Sequence, residues 1–264
     1  YLELNVSFMN STDMSIYGYT ITAYPFFGTQ DGGSVFSGNV ASGGKGGGLY
    51  LDESLSPVII DALFDGNQAL YGGGAAISSS NAGAVIQSSS FQNNLALSDG
   101  GALYIGQQNF GAQITNCQFV QNYADMDGGG VYIDYNNGVA STFSFAYDNA
   151  IKVENSVFFS NTAGSNSSSD NLCQSSTSYN GGAVYIGVMN IVALDNCSLT
   201  ENIAFSSGGG IYSELDNHIS ILNGGIYNNS AGYHGGGIYS NSRGSIIMTR
   251  ASFFSNQAEL MGGA

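Results

Sequence analysis

Positive charge is nearly missing from this chain. Lys45, Lys152, Arg243 and Arg250 are its only lysines and arginines, set against 19 acidic side chains for a formal net charge of −15. So few cations cannot neutralise a phosphate backbone or hold an anionic bilayer surface, so nucleic acid and anionic membrane are not expected partners. No apolar run approaches the roughly 20 residues needed to cross a bilayer, and direct membrane insertion is not expected either. The chain opens without an initiator Met, a basic n-region or an h-region, so a targeting segment is expected to be removed or to lie outside it. Tryptophan is absent, and three cysteines are too few for a disulfide-stapled scaffold and leave an odd thiol.

What is present is glycine, serine and asparagine, with apolar residues at 43% and charged residues at only 9%. That balance suits stacked strands joined by tight turns. The order is periodic. Eight asparagines, Asn39, Asn67, Asn94, Asn122, Asn161, Asn202, Asn229 and Asn256, each have Ala two residues later, and their spacings are 28, 27, 28, 39, 41, 27 and 27. A period near 27, broken twice by about a dozen extra residues, is the signature of a solenoid with two looped-out coils. It overrides the two-domain prior that length alone would give.

Each copy reads as F-x-x-N-x-A, a short gap, then a Gly pair and an aliphatic-Tyr-aliphatic run, as in Phe91 to Tyr104. Seven and five residues before the anchoring Phe, Leu or Ile lie apolar pairs such as Ile151 and Val153 or Ile219 and Ile221. This period-2 alternation marks a strand with one buried face. Three residues before the anchor sit Asp61, Ser88, Asn116, Asn155, Asn196, Asn223 and Arg250, expected to form a corner. Two before it come small residues, including Cys117 and Cys197, in a cramped inward position. The repeated asparagines are expected to stack as a hydrogen-bonded ladder. The Gly pair supplies a bend with positive φ in at least one residue.

Three short strands and three corners per coil, every coil running in the same direction, describe an all-β fold, a right-handed parallel β-helix (solenoid) of about eight or nine coils with two looped-out insertions. Coils about 4.8 Å apart make a rod of roughly 40 Å. Residues 1–35 are expected to be an N-terminal cap or degenerate first coil, and 36–264 the β-helix repeats, with insertions near 134–150 and 164–180.

The pairing of F-x-x-N with G-G-A-[ILV] resembles the polymorphic outer membrane protein repeat of chlamydial surface autotransporters, which also occurs in other bacterial and eukaryotic surface proteins. The resemblance covers about residues 36 to 264. It implies a pectin-lyase-like β-helix exposed outside the cell, with a role in adhesion or surface structure, and it leaves open which host or matrix glycan or protein is the partner.

Tyr50, Tyr104, Tyr132, Tyr185, Tyr212 and Tyr239 occupy equivalent places and are expected to form an exposed stripe. It is either a stack of strand-forming rings or a platform for sugar rings, the latter making a carbohydrate-binding module. A polysaccharide lyase or hydrolase needs a base beside a carboxylate or closely set acids. No Asp-Asp pair occurs, and His218 and His234 have no repeat-aligned acid beside them, so no catalytic residue, enzymatic activity, metal or cofactor is assigned. Asp52 with Glu53, and Asp125, Asp127 and Asp134, could offer oxygens to Ca²⁺, but with no EF-hand or nonapeptide calcium motif present a solvated acidic surface is the favoured reading. Cys117 and Cys197 lie two coils apart, too far for a disulfide, whereas Cys173 on the second insertion could bridge to Cys197. Sequons at Asn5, Asn10, Asn166, Asn196 and Asn228 fit N-linked glycans on an extracellular glycoprotein. The chain stops at Gly262-Gly263-Ala264, partway through a copy, and Tyr1-Leu2-Glu3-Leu4 is strand-like; end-to-end self-association into a filament is one expectation, a longer chain the other.

Overall fold

A computed structural model describes the backbone of residues 20–22 and then residues 33–263, except 55, 80, 82, 139–148 and 165–178. Every paired strand among them is parallel to its neighbour. They form four sheets: three have eight strands and the fourth has seven, so the chain makes seven four-strand turns followed by a turn of three. No α-helix occurs among the described residues. The molecule is an all-β parallel solenoid.

One turn shows how sequence becomes shape. Val85–Gln87 lies in the first sheet, Ser90–Gln92 in the second, Leu95–Ala96 in the third and Leu103–Ile105 in the fourth. The sequence pattern gave three strands per coil; there are four. The extra corner falls on the residue just before each ladder asparagine: Gly38, Gly66, Asn93, Gln121, Ser160, Glu201, Asn228 and Ser255 all have positive φ. That left-handed step splits the anchor strand from the two-residue Asn-x-Ala strand. It was illegible because only two of the eight are Gly, while polar residues of several kinds tolerate the same conformation. The corner three residues before the anchor is plainer: Asp61, Ser88, Asn116, Asn155, Asn196, Asn223 and Arg250 all have φ between 49 and 55°.

Four inward columns fill the core. Ile59, Ile86, Ile114, Val153, Leu194 and Ile221 come from the first sheet. The second sheet supplies Phe36, Phe64, Phe91, Phe119 and Phe158, whose rings stack at 4.5–5.1 Å, continuing as Leu199, Ile226 and Phe253. In the narrow third sheet only alanine fits inside: Ala69, Ala96, Ala124, Ala163, Ala204 and Ala231 are fully covered. The fourth sheet turns Leu103 and Ile105 and their equivalents inward. Burying like against like in register fixes each turn on the next, because a slip of one residue would move a whole column to the outside.

Register continues across both expected insertions. Ile114 pairs with Val153 around the first, and Val131 pairs with Val184 around the second. The first leaves after the fourth-sheet strand and the second before it, while residues 139–148 and 165–178 themselves lie outside the described residues. Of residues 1–35, Thr20–Thr22 pairs with Val58–Ile60, and the strand Ser34–Ser37 pairs with Ala62–Asp65.

Candidate functional site

The asparagine column is continuous. From Asn39 through Asn229, the backbone N–H and the Nδ2 of each asparagine both donate to Oδ1 of the asparagine in the next turn, ending at Asn256, at 2.9–3.1 Å. From Asn67 on, the second Nδ2 hydrogen reaches back to the carbonyl of the core anchor one turn earlier, such as Asn94 to Phe64 at 2.9 Å. The amide therefore closes a buried corner whose backbone groups water cannot reach.

A second ladder runs along the opposite corner, and sequence reasoning missed it. Backbone N–H groups of Ser54, Asn81, Asn109, Asn137 and Asn190 donate to Oδ1 of Asn81, Asn109, Asn137, Asn190 and Asn217 in turn, at 2.7–2.9 Å. Its asparagines recur at 28, 28, 53 and 27 residues, so the same spacing test would have found it. A shorter column sits before the glycines: Asp127 N–H donates to Asp99, Asn180 N–H to Asp127, and Ser207 N–H to Asn180. Burial pushes the Asp99 carboxyl above its usual range, opposed by the hydrogen bond it accepts from Ser98.

The tyrosine column differs from expectation. Tyr104, Tyr132, Tyr185, Tyr212 and Tyr239 stack with ring centroids 4.7–5.4 Å apart. Tyr104, Tyr185 and Tyr212 are only 7%, 6% and 8% exposed, while Tyr50, Tyr132 and Tyr239 are half-buried. The one-coil repeat that aligns the rings also covers their faces, so the exposed platform read from sequence is not there. The hydroxyls of Tyr104 and Tyr185 donate to Asp134 and Glu214 at 2.7 Å. Desolvation, the neighbouring carboxylates and these hydrogen bonds raise the pKa of the phenols. The column is broken once, at Ala76, which pairs with both Tyr50 and Tyr104. Tyr71 tilts onto Tyr104 there, and the Lys45 ammonium stands 5.1 Å from the centre of the same ring as a cation–π contact.

The remaining candidates are dispersed. Asp127 and Asp134 are engaged separately, and no group of three His, Cys, Asp or Glu among the described residues could hold a metal ion. His218 Nδ1 meets Ser245 Oγ at 2.7 Å, and His234 stacks on Tyr239. Cys117 and Cys197 are free, buried thiols, each facing backbone carbonyls, and burial pushes both up to about 11. The bridge expected at Cys197 finds a thiol sealed in the core instead; Cys173 lies outside the described residues. So do the sequons at Asn5, Asn10 and Asn166. Asn196 and Asn228 sit at left-handed corners with exposed side chains, Asn196 Nδ2 donating to Asn155 Oδ1 at 2.8 Å.

These parts define a class: a parallel β-helix whose repeating residues close and stack turns. Residues 88–106 match the family model of the Chlamydia polymorphic membrane protein repeat. The stretch runs from corner Ser88 through anchor Phe91 and ladder Asn94 to the tyrosine strand, so the chain carries this repeat on a β-helix. No curated protein and no solved structure matches the chain.

Proposed function

We propose that the chain is a non-enzymatic structural and adhesive module of an extracellular surface. The observation that carries this reading is the composition of the matched repeat. From 88 to 106 its defining positions are a corner, a core ring, a ladder amide and a close-packed Gly pair, all of which build a rod. A rod of this kind displays variable outward side chains at fixed spacing, which suits attachment to a host or matrix glycan or protein. Microspheres coated with the protein should attach to matrix-coated surfaces more than albumin-coated ones do, and equal attachment would sink the adhesive reading. New reducing ends or unsaturated products on incubation with polysaccharides would instead make the protein an enzyme.

N-linked glycans at Asn196 and Asn228 complete this reading, because both side chains leave the rod at corners where a sugar would not enter the core. Intact mass before and after enzymatic deglycosylation tests it. End-to-end joining is a further part of it, because turns that all run parallel make a head-to-tail contact the matching one between two rods. Electron microscopy should show rods joined along their axes; isolated rods at all concentrations would remove the filament reading.

A further inference from the structure

The outer face of the second sheet carries a feature that the tyrosine column does not. Along its C-terminal half the outward positions form two columns: Phe159, Thr200, Tyr227 and Phe254, and beside them Val157, Ser198, Gly225 and Ser252. Tyr227 leans along its strand over Gly225, so closely that a Cβ on Gly225 would stand 2.3 Å from its ring. In the neighbouring turns that place is held by side chains, and only the glycine lets the ring lie down. Phe254, 64% exposed, supports Tyr227 from one side in a near-parallel stack at 5.8 Å. On the other side comes Thr200, which has no ring. Tyr227 and the partly exposed Phe159 are therefore two turns apart, about 9.6 Å by strand spacing, with nothing aromatic between them.

The floor of that opening is polar. Ser198 Oγ and Thr200 Oγ1 are 3.2 Å apart and share one hydrogen bond, leaving a second hydroxyl proton and free lone pairs facing outward. An aromatic wall, a second aromatic two turns away and a hydroxyl floor match a pyranose ring, whose C–H faces are apolar and whose rim is hydroxylated. With 19 acidic groups against four basic ones, the surface disfavours an anionic chain. We infer that Tyr227, held down on Gly225 and backed by Phe254, forms with Phe159, Ser198 and Thr200 a subsite for a neutral polysaccharide. The inference rests on the adhesive reading above and gives it a ligand class.

Retardation of the protein, untreated and deglycosylated, in native gels containing mannan, a soluble β-glucan or xyloglucan tests it, with pectate as the anionic comparison. At least one neutral polymer should retard one of the two forms. Tyr227→Ala and Gly225→Val, the second of which keeps the ring but displaces it, should each weaken that retardation roughly tenfold. Tyr233→Ser, at an exposed tyrosine away from the subsite, should leave it unchanged. No retardation of either form, retardation by pectate alone, or equal retardation of Tyr227→Ala overturns the subsite. The microsphere assay separates the two readings: spheres that attach equally well with Tyr227→Ala preserve adhesion and remove this site, whereas retardation without attachment keeps the site and removes adhesion.

Discussion

The amide of Asn122 connects three turns. Its Oδ1 accepts from Asn94 N and Nδ2, and its own Nδ2 donates to Phe91 O and Asn161 Oδ1. Asn122→Ala leaves several buried groups unpaired, each costing about 1–3 kcal/mol, so the loss should be several times that of Asn39→Ala, whose Oδ1 accepts no bond from a described residue. Urea melts of the two variants check the order; equal midpoints would mean the amides do not hold the turns together. The glycine pair divides its labour. Gly100 takes φ +71°, while a Cβ on Gly101 would fall 2.2 Å from Gly129 O in the next turn. That contact is with backbone and cannot relax by a rotamer change. Gly101→Ala should therefore be among the most destabilising single substitutions in the chain, read as loss of soluble, folded protein, whereas Gly66→Ala, with nothing near its Cβ, should retain the fold at a smaller cost from its positive φ.

At the scale of the element, the tyrosine column sets the response to alkali. Tyr104, Tyr132, Tyr185 and Tyr212 all have pKa values raised above the ordinary phenol value of 10.0, in each case chiefly by desolvation, and Cys117 and Cys197 are raised from 9.0 to about 11. All are acids whose neutral form the folded state prefers. Their stabilising effect is full below the unfolded values and is lost as pH climbs above them towards the folded ones. Stability should fall from about pH 9 upward, and the tyrosinate absorbance of the column should rise together with loss of β-sheet circular dichroism. Tyrosines of the column that ionise before the sheet signal changes would show that the stack is open to solvent. The phenylalanine column responds to volume, not charge: Phe119→Ala, between Phe91 and Phe158, should cost about 3–5 kcal/mol, typical of an emptied core ring.

The whole molecule is a one-dimensional stack, so each turn is stabilised by its two neighbours. Between Val85 and Leu215 every strand is paired on both sides, as Ile114 is with Ile86 and Val153. Amide hydrogen exchange should be uniformly slow in the strands between Val85 and Leu215, and a strand among them that exchanges freely would show the stack to be open there.

Much of this was legible in the sequence because a repeat states its own register. The positions of Phe91, Asn94 and Ala96 in every copy determined which columns are internal, and the small or turn-tolerant residues before each anchor marked one corner. The fourth strand was hidden, since a left-handed step can be taken by Asn93, Gln121 or Glu201 with no shared chemistry. The second ladder lay in plain view at the same spacing but away from the aromatic anchor that made the first one noticeable. What only the tertiary structure decided is which outward rings have free faces. Along a single strand Tyr104 and Tyr227 both point away from the core and look alike. Tyr132 of the next turn stacks on Tyr104, and Tyr71 and Lys45 lie against the same ring where Ala76 breaks the column, whereas the ringless Thr200 beside Tyr227 leaves one side of that ring without an aromatic neighbour. Exposure of a side chain in a solenoid depends on its neighbours a whole turn away, and the local sequence does not contain them.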